Sequence, residues 1–251
     1  RLFDSNLEDT SNKIDKSSAR INISGKDYTV QELKNAPKLV IDDEVFYGSK
    51  TRPDHVYQIS LTYKAADGAE KHSTFYNKIN SIQTMEAVNS YTEFNNKYGQ
   101  YEGTKKAINE YLASDGSIPQ EFIDILTQAS NEGAFLIGYN SEKFDLPKLQ
   151  SLNNPRFKTK EFKDLMTRHI DAYKFAKEIP TSANIIKHGG ALQLGRIAKQ
   201  LDSTINIDLE HNAEADTLTT LRVIEKLLDK TITSNEYKYN GFLDIKQLYK
   251  D

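Results

Sequence analysis

The segment KLVIDDEVFYG, residues 38 to 48, is an apolar run that enters an acidic cluster, and its reading decides the fold. Four apolar-rich positions followed by alternation predict a buried strand whose far end carries carboxylates. Downstream, VYQISLTYK (56–64) alternates, AADG (65–68) is a turn, and KHSTFYN (71–77) alternates again. Three consecutive strands with short connections predict an antiparallel meander. Helical spacing follows at 83–97, 103–114 and 119–131, the last opening with Pro119 in its first turn. AFLIGYN (134–140) is a continuous apolar run, as expected of a central strand covered on both faces. Helices are then expected near 145–152 and 158–168, an extended piece at HIDA (169–172), and helices at 190–202 and 211–229. In the last of these, Ala215, Leu218, Leu221, Ile224 and Leu228 recur at helical spacing and are expected to face the core. Upstream, ARINIS, GKD and YTV suggest a hairpin, and QELKNA a helical turn that ends before Pro37. The expected class is α/β, a mixed sheet flanked by helices in the ribonuclease H-like order, with a small N-terminal appendage. The expected division is 1–37 (a flexible tail, then the appendage), 38–230 (the main domain) and 231–251 (a tail that packs back on it).

Composition narrows the chemistry. The chain has 251 residues, 37% of them apolar, enough for one large domain with an appendage. With 36 acidic and 33 basic side chains the formal charge is −3, which excludes binding of nucleic acid by bulk positive charge alone. A local basic face remains possible. Of the basic side chains 26 are Lys, point charges suited to backbone phosphates more than to bidentate base reading. There is no Cys, so thiolate zinc sites, iron–sulfur clusters and cysteine nucleophiles are excluded together. No stretch is long and apolar enough for a membrane span or signal peptide, so a cytoplasmic protein without membrane contact is expected. The first residue is Arg, as expected of a piece of something longer.

Three segments can carry chemistry. On a strand, Asp42 and Glu44 project to one face and Asp43 to the other; two carboxylates on one face repel unless a proton or a cation lies between them. GYNSEKFDLPKL (138–149) places Asp145 where a buried strand passes into a helix, a place where α/β folds hold ligands. HNAEAD (211–216) opens the last helix, with His211 at its mouth and Asp216 about one turn deeper. Taken singly, each is also compatible with a solvated strand end, a helix N-cap and an ordinary helix start.

Together, in this order and these contexts, they resemble the DEDDh family of 3′ to 5′ exonucleases over residues 38 to 230. IDDE is similar to that family's first motif, D-x-E; GYNSEKFD to its second; HNAEAD to its third, H-x-A-x-x-D. The spacing from Asn140 to Asp145 looks most like bacterial exonuclease I and the proofreading domain of family B DNA polymerases. The latter carry Tyr where this chain has His211, which brings exonuclease I nearer. Val45 departs from the family's usual Thr, which puts the seating of a terminal nucleotide in doubt.

The resemblance implies a phosphodiester hydrolase that releases nucleoside 5′-monophosphates from single-stranded DNA or DNA 3′ ends. An RNA 3′ exonuclease is the alternative within the class; an inactive nuclease fold serving as a nucleic-acid-binding module of a larger protein is the alternative outside it. Asp42, Glu44, Asp145 and Asp216 would hold two Mg²⁺ or Mn²⁺ ions through oxygen alone. Asp42 would bridge the ions, Glu44 and Asp216 completing one shell and Asp145 binding the other largely through waters. His211 would accept the proton of the attacking water. Phe46, or its neighbour Tyr47, is expected to stack on the terminal base, and Asn140 to brace the site. Lys187 to Gly190 precede a helix that can meet a phosphate or simply turn the chain. Asp171 matches a position that supports the fold without binding metal, and His55 and His169 are expected to be structural.

Overall fold

Strand β3 (Lys38–Phe46) is hydrogen-bonded along both edges, antiparallel to β4 (His55–Lys64) and parallel to β6 (Phe135–Gly138). The computed structural model describes residues 20–48, 50, 53–78, 101–152, 154–178, 193–233 and 242–244. β5 (Glu70–Tyr76) pairs antiparallel with β4, and β7 (His169–Asp171) parallel with β6. The sheet order is therefore β5–β4–β3–β6–β7, the mixed ribonuclease H-like arrangement. The meander lies where the alternation placed it. Its β4–β5 turn needs Gly68 at φ 91, and the Asp67 carboxylate accepts the Ala69 N–H at 2.9 Å. AFLIG is interior, fourth of five strands and buried at every position, which is why it reads as an unbroken apolar run.

Helices cover both faces. On one side α3 (Gln120–Asn131), α4 (Asp145–Ser151) and α5 (Lys160–Met166) enclose Leu39, Ile41 and Val45 of β3. On the other, α6 (Ala172–Glu178), α7 (Leu194–Leu201) and α8 (Ala213–Thr233) pack around Val40, Phe135, Ile137 and Ile170. The short β1 (Arg20–Ile23) and β2 (Lys26–Thr29) form the expected hairpin, followed by α1 (Val30–Asn35). Thr29 and Glu32 make a reciprocal capping box that starts α1. β8 (Phe242–Asp244) pairs parallel with β1, so these three strands make a separate small sheet. The helix α2 (Glu102–Ala113) lies against the start of β4, where Ala107 and Tyr111 pack with Tyr57. The helical spacing at 83–97, residues 1–19 and the Lys187 to Gly190 turn lie outside the described residues.

Two expectations are corrected. Pro119 precedes α3 as its cap instead of lying in its first turn. In α8, Leu221, Ile224 and Leu228 are buried, but Ala215 and Leu218 are only half-buried and line a groove with Ile205, Ile207 and Leu209. The first turns of α8 lie against a polar stretch of sheet, where Thr217 shares a 2.8 Å hydrogen bond with Thr62. That contact fixes the rotation of the helix and turns the apolar stripe outward there.

Candidate active site

The even-numbered carboxylates of β3 face α8. Asp42 and Glu44 each bring an oxygen to one point with Asp216, from the first turn of α8, and the three oxygens lie within 4.8 Å of one another. All three residues remain partly exposed. Burial first, and then mutual repulsion, pushes Asp42 and Glu44 well above the usual carboxylate range. Asp216 is pushed up to about 8, mainly by burial, against the pull of the His211 N–H it accepts at 3.1 Å. None of the three carboxylates forms an ion pair among the described residues. Three unpaired carboxylates at this spacing hold protons or a cation. An all-oxygen donor set fits Mg²⁺ or Mn²⁺.

Asp145 stands beside this trio and outside it. It begins α4, is buried, and its Oδ1 accepts the Asp43 N–H at 3.2 Å. Its charge nevertheless reaches Asp42 and Glu44 and raises both. Burial pushes Asp145 itself up to about 7. Asp43, on the opposite face as alternation requires, is 4% exposed, and no N–H or O–H of the described residues reaches its carboxylate oxygens. Its neighbour is the Asp145 carboxylate, a second acceptor, and two adjacent acceptors repel unless a proton or a cation lies between them. Burial, then Asp145, raises Asp43 well above its ordinary range.

The loop that carries Asp145 is held by Asp171. Its buried carboxylate accepts three backbone N–H groups, those of Asn140 at 2.8 Å, Tyr173 at 3.0 Å and Glu142 at 3.2 Å. Asn140 is exposed and sits at φ 56, a conformation Asn tolerates better than most residues. Asp171→Ala is expected to cost about 3 kcal/mol, because three backbone donors lose one buried, charged acceptor; chemical denaturation measures it. His169, on the same strand, shares a 2.8 Å bond with Ser141, and burial pulls it down to about 4, so it is a neutral structural histidine.

His211 is set by contacts that the motif does not display. It sits at φ 64, its carbonyl accepts from Thr104 at 3.4 Å, and its ring lies 4.5 Å from that of Tyr101. Partial burial lowers its pKa below the ordinary value, which keeps the ring neutral at pH 7. On either side the loop is fastened to neighbouring elements. The Asn212 amide donates to Gly103 at 3.3 Å, and Gln58 of β4 accepts the Ala213 N–H at 2.9 Å. A Cβ on Gly103 would lie 2.1 Å from the Glu210 carbonyl oxygen, so only glycine lets α2 approach this loop. Gln58 had only a weak signal in the sequence: it heads the polar row Gln58, Ser60 and Thr62 of an alternating strand, and the structure shows it fully buried, directly across from Glu44. Tyr101 had none.

Phe46 is corrected. It is 0% exposed and packs with Tyr57, Ala107 and Tyr111, stacked on Tyr57 at 4.1 Å, so it is a core residue and no platform for a base. The register jumps between Glu44 and Val45, which opposes Val45 to Val56 and leaves Tyr57 as the extra residue against which Phe46 closes. Tyr47 is half-buried beside Phe144.

No family model matches the chain, and no curated protein matches it. Among solved structures, E. coli exonuclease I in complex with a dA16 oligonucleotide aligns with 78% of this chain and 41% of that one, at 16% identity and a TM-score of 0.47. The chain thus spans 41% of that relative, and a likeness of this size leaves the site to be argued from its own residues.

Proposed function

We propose that the protein is a metal-dependent 3′ to 5′ exonuclease acting on single-stranded DNA or DNA 3′ ends. The observation that carries this reading is the convergence of Asp42, Glu44 and Asp216 from a strand and a helix, with no counter-charge among the described residues. A binding module gains nothing from carboxylates that repel one another. Bound at these residues, Mg²⁺ or Mn²⁺ would supply positive charge to the phosphoryl group under attack. Asp42, Glu44 and Asp216 would hold the first ion, and Asp145 the shell of the second. His211, neutral at pH 7, takes the proton of the attacking water, and the N–H bond to Asp216 ties its backbone to the carboxylate cluster. Asn140 keeps the second motif's loop in shape. Activity is expected to fall at acid pH, with the limb below the ordinary histidine value.

The base platform moves from Phe46 to Tyr101, which is 38% exposed and adjoins the His211 ring. Base stacking on an aromatic contributes about 1 to 3 kcal/mol, so Tyr101→Ala raises KM about tenfold or more with kcat less affected. Steady-state kinetics on a short oligonucleotide checks it, and an unchanged KM removes Tyr101 from the site.

The decisive assay incubates 5′-labelled single-stranded DNA, duplex DNA and RNA with Mg²⁺, Mn²⁺ or EDTA and resolves products by length. Laddering from the 3′ end that EDTA abolishes is expected. Cleavage that persists in EDTA defeats the metal mechanism, and laddering of RNA alone transfers the assignment to an RNA exonuclease.

A further inference from the structure

We propose that the cavity at the other end of β3, between α1, the β4–β5 turn and the C-terminal half of α8, binds a phosphate group as free phosphate or a phosphomonoester. The cavity is about 360 Å³ in volume, far more than one water needs, and Lys34, Lys38 and Lys64 line it together with Glu225 and Asp229. Lys38 and Asp42 share a face of β3, and α8 runs from Asp216 at one end to Glu225 and Asp229 at the other. One strand and one helix thus connect an acidic cluster to a basic cavity.

The charges at the cavity do not cancel. Asp229 is paired with Lys34 at 2.6 Å; Glu225 is paired with Lys64 and also with Arg222 at 3.5 Å. Lys38 is the surplus cation. It is only 4% exposed and forms no ion pair among the described residues; its Nζ donates to the carbonyls of Lys34 and Ala36, each at 2.9 Å. An ammonium has three donors, so one remains for an occupant of the cavity. Burial, together with Lys64, draws the Lys38 pKa down to about 8 despite Glu225, the behaviour of a buried cation without its anion. An oxyanion on Lys38 and Lys64 would supply that missing charge. Phosphate, with several acceptor oxygens, suits point-charge lysines better than it suits planar recognition.

The test is calorimetric titration of the full chain in EDTA, so that neither metal nor hydrolysis enters and the outcome is independent of the nuclease assignment. The injected probes are inorganic phosphate, a nucleoside 5′-monophosphate, and a short single-stranded oligonucleotide lacking terminal phosphates. The parent is expected to bind phosphate or the monophosphate saturably, one per chain, and Lys38→Met to weaken binding at least tenfold. Lys64→Gln, at a half-buried position that leaves the end of α1 intact, is expected to do the same and decides alone if Lys38→Met fails to fold. No saturable binding by the parent, or unchanged affinity in Lys64→Gln, overturns the proposal. Binding of the oligonucleotide alone overturns it in favour of a backbone groove.

Discussion

Asp42→Asn and Asp216→Asn are expected to lose metal-dependent hydrolysis by about a thousandfold or more, and yet to melt higher than the parent in EDTA at pH 8. Both effects have one cause. Asn keeps the size of the side chain and removes a charge from a cluster where three carboxylate oxygens lie within 4.8 Å. Without a cation that charge is a liability, since Asp42 is raised by burial and by repulsion from Asp145, Asp216 and Glu44. With a cation it is a ligand. The two measurements are independent, a gel assay and a melting curve, and the assignment requires opposite signs in them. Activity within about tenfold of the parent in either variant would remove the cluster from the mechanism. Lower melting in EDTA would show that the carboxylates support the fold and do not strain it.

The metal-free protein is expected to lose stability as pH rises from 6.5 to 8. Asp145 is pushed up to about 7 and Asp216 to about 8, so in this window the folded chain holds protons that the unfolded chain has released. Stability therefore falls with rising pH, by about 1.4 kcal/mol per unit for each proton held. At about 2 to 4 °C per kcal/mol for a chain of this size, the melting temperature drops by several degrees. Asp42, Asp43 and Glu44, all raised well above the carboxylate range, act in the same sense. His169 and His211, lowered by burial, act in the opposite sense toward and below 6.5, and Lys38, pulled down to about 8, opposes the fall at the upper end of the window. Mn²⁺ replaces the protons and is expected to flatten the profile or reverse it. Calorimetry at four pH values, in EDTA and in Mn²⁺, measures both arms; a flat profile in EDTA would mean that the carboxylates are already ionised and unstrained.

The sheet and most helices were legible because a strand with one polar face alternates even where both faces are buried, as in β4, and a strand with two apolar faces does not. VYQISLTYK and AFLIG announce β4 and β6 in those two ways. The carboxylates were legible through motif order. Phe46 was not, because its environment depends on a one-residue register jump that no local pattern encodes. Tyr101 was not, because its place beside His211 depends on α2 docking through Gly103, far away along the chain. Asp43 had a signal that alternation supplies: it occupies a core-facing position between Ile41 and Val45.

The carboxylate trio draws two members from an early strand and one from the last long helix, with α2 through α7 between them in chain order. During synthesis on the ribosome, at about 5 to 20 residues per second, the strand emerges well before the helix that completes it. A nascent chain arrested anywhere before α8 has no centre to load with a cation. Translation order alone keeps the centre silent until the domain is whole.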